Sequence, residues 1–202
     1  MNSKEFFEEV YAARTVEETQ AVYAAHASHY DDTLDKAEYM TPRRMAEAVA
    51  NHIQDREIAI LDFGCGTGLS GEALAAEGFT RIDGYDVSQP MLDQAAQKAV
   101  YQKLVCGEPG DPLPTGYGLV FACGAVSVGA APASVLAELV ETLSQGGFLA
   151  LSYNDHTLHD PAYSGALKQL TDDGLLRTIY EEHGPHLPTL NLNATVYLFE
   201  KA

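Results

Sequence analysis

The chain has 202 residues, 46% of them hydrophobic, and carries 12 Lys and Arg against 29 Asp and Glu, a formal net charge of −17. A chain of this length and composition buries roughly 70% of the surface its unfolded form exposes, which excludes whole-chain disorder. Its charge repels polyphosphate and anionic lipid, so the expected partner is a neutral or cationic small molecule, with no nucleic acid and no membrane.

Residues 1–52 read as a polar helical cap. The opening MNSKEFFEEVYAARTVEETQ is acidic and has no apolar core, which predicts no signal peptide. Thr41-Pro42 suits an N-cap followed by a first-turn proline, with Met45, Ala48, Val49, His52 and Ile53 on one helical face. From residue 57 to the C-terminus the rhythm becomes that of a sheet core. Ile58 to Phe63 is an apolar run ending in glycines and reads as a strand buried on both faces. A helix over Ser70–Gly78 and a strand over Thr80–Asp86 follow. Pro90 opens a helix with Met91, Leu92, Ala95, Ala96 and Ala99 on its apolar face. Gln102–Cys106 and Tyr117–Ala122 are the third and fourth strands, and Pro132 opens a helix that Gly146-Gly147 stops. No charge occurs from Pro112 to Ala137, but prolines and glycines break that run, so it predicts no membrane span. Phe148–Tyr153 is the fifth strand. A helix near Pro161–Asp173 precedes two strands, Leu175–Glu182 and Asn193–Lys201. Gly184 to Pro188 reads as their short loop, so they should run antiparallel. Alternating strands and helices predict one α/β domain over 1–202, a Rossmann-like, doubly wound, seven-stranded sheet, mostly parallel with one antiparallel strand near the C-terminus.

Cys65, Cys106 and Cys123 form neither a disulfide framework nor a metal spacing, which predicts a reduced, cytoplasmic setting and no metal. Each falls just past a strand's C-terminal end, where open α/β sheets bind ligands. His156 and His159 follow the fifth strand on the substrate side, as a candidate general base or as solvated loop residues. His183 and His186 bracket the last hairpin and read as solvated. Tyr153 and Tyr163 shape an acceptor pocket or belong to the aromatic core.

The informative segment is Leu61-Asp62-Phe63-Gly64-Cys65-Gly66-Thr67-Gly68, where a strand ends, three glycines follow and a helix begins. No GK[ST] follows, so it is no Walker loop. Gly66 to Gly71 matches GxGxxG literally, but Gly64 occupies the place of the first glycine and leaves Leu69 where the third should stand.

This segment resembles motif I of class I S-adenosylmethionine-dependent methyltransferases, and its companions stand in register. The resemblance runs from about Tyr23 to the C-terminus. It is closest to the Williams–Beuren-region methyltransferase-like group, echoed by Tyr30-Asp31, Tyr39-Met40-Thr41-Pro42, Gly64–Gly68 and Gly124-Ala125-Val126-Ser127-Val128-Gly129. It implies S-adenosyl-L-methionine as cofactor and S-adenosyl-L-homocysteine as product. The backbone at Gly64, Cys65, Gly66 and Gly68 would approach the cofactor, and Asp86 would take both ribose hydroxyls. Val87 and Met91 would flank the adenine, and Gly107-Glu108 would reach its amino group, although the usual residue there is Asp. Cys123, Gly124 and Ala125 would lie along the methionine part. Tyr30 would close over the cofactor, or be a packed aromatic. Asp62 would touch the amino group through water, or cap its own loop. No catalytic residue is implied, because alignment alone lowers a methyl-transfer barrier by up to about 7–11 kcal/mol. Acceptor specificity would lie in residues 1–45 and after Asn154. The alternatives are an NAD(P)-binding oxidoreductase and an S-adenosylmethionine-binding protein without catalysis.

Overall fold

The computed structural model describes Phe6, Glu9 and residues 16–202; the predicted helical cap before Val16 otherwise lies outside the described residues. Seven strands form one sheet: β1 (Ile60–Phe63), β2 (Ile82–Asp86), β3 (Lys103–Cys106), β4 (Leu119–Ala122), β5 (Phe148–Asn154), β6 (Leu176–Leu187) and β7 (Leu192–Lys201). Their spatial order is β3-β2-β1-β4-β5-β7-β6. The first five pair in parallel, while β7 runs antiparallel to both β5 and β6. This is the expected class I methyltransferase topology.

The helices are α1 (Val16–His26), α2 (Tyr30–Lys36), α3 (Thr41–His52), α4 (Leu69–Ala76), α5 (Gln89–Ala95), α6 (Val135–Thr142), α7 (Asp155–His159) and α8 (Pro161–Asp172). Both faces of the sheet are covered, as buried parallel strands require. Leu61, Val120, Leu149 and Leu151 pack with Leu136 and Leu139 of α6 and Leu167 of α8. On the other face Ile60, Phe121, Ala150 and Leu198 meet Met45 and Val49 of α3 and Leu74 of α4. A third cluster, Leu34, Ala37 and Leu187 with Tyr30 and Tyr39, seats the cap against the end of β6. Strand order reverses between β1 and β4, so their C-terminal ends splay into a crevice.

Five local expectations need correction. Thr41 is the first residue of α3 rather than its cap, and its hydroxyl meets His186 Nδ1 at 2.8 Å. The helix at Pro90 ends at Ala95; Ala96 and Ala99 are exposed, and Ala99 turns left-handed with φ 54°. The helix expected from Pro132 begins at Val135. Helix α7 was unforeseen; Asn154 caps it by accepting from Thr157 N at 2.9 Å. The expected loop Gly184–Pro188 is mostly strand: β6 continues to Leu187, and the turn is Pro188–Leu190 with Asn191 at φ 54°. Arg44 of α3 explains that continuation. Its guanidinium donates to Pro185 O at 2.9 Å, Ala194 O at 3.1 Å and Glu182 O at 3.1 Å.

Candidate active site

Past β1 the chain turns through Gly64, Gly66 and Gly68, with φ of 67°, 54° and 92°. Gly64 N and Cys65 N both donate to Tyr85 O, at 2.8 and 3.1 Å. Gly66 N donates to Asp86 Oδ2 and Ser88 N to Asp86 Oδ1, each at 2.8 Å. One carboxylate at the end of β2 thus holds the glycine loop and its own following turn. Burial raises its pKa, while the amides of Ser88, Gly66 and Val87 pull the other way.

The loop's amides therefore point at β2. The start of α4 is also covered: Tyr101 Oη accepts from Gly71 N at 3.2 Å and donates to Asp62 Oδ2 at 2.7 Å. A dinucleotide's pyrophosphate needs such amides free at a helix start. Ser70 Oγ also donates to Asp62 Oδ2, at 2.6 Å, while Asp62 Oδ1 is buried without a hydrogen-bond partner among the described residues. Burial pushes the Asp62 carboxyl up to about 6, Ser70 and Tyr101 hold it down, and the Asp86 charge raises it further.

The crevice holds a cavity of about 460 Å³. Of the residues predicted from the sequence, Gly64, Gly66, Asp86, Val87, Met91 and Glu108 line one stretch, and Tyr30, Cys123, Gly124 and Ala125 another. Asp62, Cys65, Gly68 and Gly107 stand behind the lining rather than in it. Of the three cysteines expected along the cleft, Cys123 reaches it; Cys65 is buried beneath the loop and Cys106 is exposed. Phe63 and Tyr85, a stacked pair with centroids 5.7 Å apart, extend the apolar wall. Tyr153 is wholly core, and Tyr163 works from behind: its hydroxyl donates to Ser127 O at 2.9 Å, bracing the loop after Gly124. Ser152 Oγ accepts from Gly124 N at 2.9 Å and fixes the start of that loop.

The cap closes the other side. Tyr30 packs edge-on to Phe6 and Tyr23, each with centroids 5.7 Å away. Its neighbour Asp31 ties the cap down, accepting from Thr67 Oγ1 at 2.5 Å and pairing with Lys98 Nζ at 2.8 Å. Tyr39 lines the cavity, its hydroxyl 3.5 Å from Cys123 Sγ and its ring edge-on to His186. Burial pushes the Cys123 thiol up to about 12, so it is protonated.

Sequence reasoning missed His186. It is 8% exposed, lines the cavity, and is pushed down to about 4 chiefly by burial. The two histidines expected on the substrate side, His156 and His159, are both exposed on α7, and His159 Nδ1 lies 2.5 Å from Asp155 O. The lining's charged side chains are Asp86, Glu108, Asp111 and Glu138; no Lys or Arg joins them among the described residues. No group of three metal-ligating side chains occurs among the described residues, and none of their helices is long and apolar enough to cross a membrane.

A family described as "Methyltransferase domain" matches residues 60–147. Human methyltransferase-like protein 27 is 34% identical over 136 residues, covering 64% of this chain and 55% of that protein. Bovine 18S rRNA (guanine-N(7))-methyltransferase is 38% identical over 74 residues, 37% of this chain and 26% of that protein. The chain thus spans about half the length of the first relative and about a quarter of the second. Among solved structures, a TehB-like SAM-dependent methyltransferase from Corynebacterium glutamicum superposes with TM-score 0.64 at 20% identity, covering 88% of this chain and 99% of that one. Magnesium protoporphyrin IX methyltransferase from Synechocystis, with bound SAH, gives 0.60 at 16% identity, over 98% and 94%. These likenesses support the fold.

Proposed function

We propose that this member of the class I S-adenosylmethionine-dependent methyltransferases, similar to the methyltransferase-like protein 27 group, methylates a small, uncharged or cationic acceptor. The observation that carries the reading is Asp86. Its two oxygens accept from Gly66 N and Ser88 N, and a carboxylate offers about four acceptor sites, which leaves capacity for ribose hydroxyls. Beside it, a Cβ built on Gly66 would meet nothing within 4 Å, leaving the loop open on its ligand side.

The residues fit the cofactor. Asp86 would hold the ribose, Val87 and Met91 would pack on the adenine, and Glu108 would reach its amino group. The backbone of Gly64, Gly66, Gly124 and Ala125 would follow the methionine part, with Asp62 beneath it through a water on Oδ1. When bound, S-adenosylmethionine supplies an electrophilic methyl on a sulfonium. The chain's own part is to orient an acceptor and exclude water, which Tyr30, Tyr39 and the cap do by closing the crevice. Four carboxylates around the cavity, with no Lys or Arg among the described residues beside them, disfavour a phosphate-rich acceptor. The rRNA methyltransferases match over a smaller share of this chain than the human relative does. The net charge of −17 argues the same way.

Calorimetric titration tests the reading. S-adenosylhomocysteine should bind and NADH should not; the reverse would sink it. Asp86→Ala should weaken S-adenosylhomocysteine by about 1.5–3 kcal/mol, roughly ten- to 150-fold, and Asp86→Asn by less. Unchanged affinity in a folded Asp86→Ala protein would remove the ribose assignment. Binding without turnover on any acceptor would favour a non-catalytic role.

A further inference from the structure

The cavity reaches past the loop of Gly64–Gly68 to the end of β6, where His186 stands. Its imidazole is built in. Met40 N donates to His186 O at 3.0 Å, Arg44 holds the neighbouring Pro185 carbonyl, and Tyr39 stacks edge-on with its centroid 5.2 Å away. The remaining question is which ring nitrogen carries the proton. Thr41 is 0% exposed, and its hydroxyl has one hydrogen-bond partner among the described residues, His186 Nδ1 at 2.8 Å. A buried hydroxyl proton left without an acceptor costs about 1–3 kcal/mol. Thr41 therefore donates to Nδ1, which places the ring proton on Nε2. Nε2 itself makes no hydrogen bond among the described residues. The ring has no free lone pair, so it is a donor and not a base. Burial keeps it neutral; Asp155 opposes that, and Arg44 and His156 add to it.

A second donor stands in the same lining. Asn154 turns its carbonyl oxygen to Thr157 N, and its amide NH₂ makes no hydrogen bond among the described residues. We propose that His186 Nε2–H, locked by Thr41 and assisted by the Asn154 amide, anchors a neutral oxygen (carbonyl or hydroxyl) of the methyl acceptor. This rests on the methyltransferase reading and narrows its acceptor to small, oxygen-bearing, uncharged or cationic molecules. His186 is then a specificity-determining residue at the acceptor end.

The test has two arms on the full chain. Long-range ¹H–¹⁵N spectra of the histidines at neutral pH should show His186 as the neutral Nε2–H tautomer, and Thr41→Val should mix the tautomers. A bare Nε2 in the wild type overturns the proposal. In the second arm, small phenols, alcohols, hydroxyamines and amides are screened by S-adenosylhomocysteine release. His186→Leu should lose at least tenfold in kcat/KM, mainly through KM. His186→Gln, which keeps a donor near the Nε2 position, should recover most of it. Both variants should bind S-adenosylhomocysteine within twofold of wild type. Equal turnover by His186→Leu overturns the proposal, as does a wild type that turns over nothing in the panel. Failure of the wild type to bind S-adenosylhomocysteine would instead sink the methyltransferase reading beneath it.

Discussion

Gly64 and Gly66 are two residues apart, both left-handed, and have different reasons to be glycine. A Cβ on Gly64 would lie 2.4 Å from the Cβ of Ala125, so the first turn of the loop is packed against the loop after β4. A Cβ on Gly66 would enter open space at the cavity. Gly64→Ala should therefore destabilise the fold by both backbone strain and the collision, roughly 2–4 kcal/mol. Gly66→Ala meets the backbone penalty alone, about 1 kcal/mol. For ligand binding the order reverses for a bulky residue: Gly66→Val should stay folded and lose S-adenosylhomocysteine binding. Thermal melts and calorimetry on the three variants check this. Retained binding in Gly66→Val would mean the ligand lies elsewhere. Asp62 shows the same division of roles. One of its oxygens holds Ser70 and Tyr101, which is structural, and the other is buried with no hydrogen-bond partner among the described residues.

At the scale of elements, the tail of the sheet depends on one helix. Arg44, 9% exposed, reaches from α3 to carbonyls on both β6 and β7. Replacing it by Met keeps the aliphatic stem but leaves Pro185 O and Ala194 O without their donor. The expected loss is about 2–4 kcal/mol in urea denaturation. Amide exchange should quicken selectively at Gly184, His186 and Leu187; unchanged exchange there would mean that β6 holds itself. The same contact explains what was legible beforehand. Strands β1, β2, β4 and β5 are short apolar runs punctuated by glycine, a local signal, and the sequence places each within about two residues. Asp86 was legible for the same reason, since it ends such a run after a glycine motif in register. His186 was not, because Gly184-Pro185 forbids a strand by local propensity. What overrides that propensity is an arginine 141 residues earlier in the chain. Thr41 was misread alike: its sequence context is that of a helix cap, and only the fold brings the imidazole to its hydroxyl.

Across the whole molecule, two buried groups oppose each other in acid. The Asp62 carboxyl is raised from 3.8 to about 6 on folding, and the His186 imidazole is lowered from 6.5 to about 4. Between pH 4 and 6 the folded chain binds the Asp62 proton that the unfolded chain has released, so this group adds stability as pH falls. Over nearly the same window the unfolded chain binds the His186 proton that the folded chain refuses, so that group removes stability as pH falls. At about 1.4 kcal/mol per pH unit, each amounts to roughly 3 kcal/mol, with opposite signs. Their contributions nearly cancel across the window, so the wild-type slope is left to Asp86, whose pKa burial also raises, and to the surface carboxylates. Substitution should expose each half. Relative to wild type, Asp62→Asn should lose stability steadily as pH drops from 6.5 to 4, because its favourable proton uptake is gone. His186→Gln should gain over the same interval. Urea midpoints at half-unit pH steps separate the two, since the surface carboxylates cancel in each difference. Parallel wild-type and Asp62→Asn curves would mean that the carboxylate beneath the glycine loop is ionised throughout, and that its second oxygen already has a partner in solution.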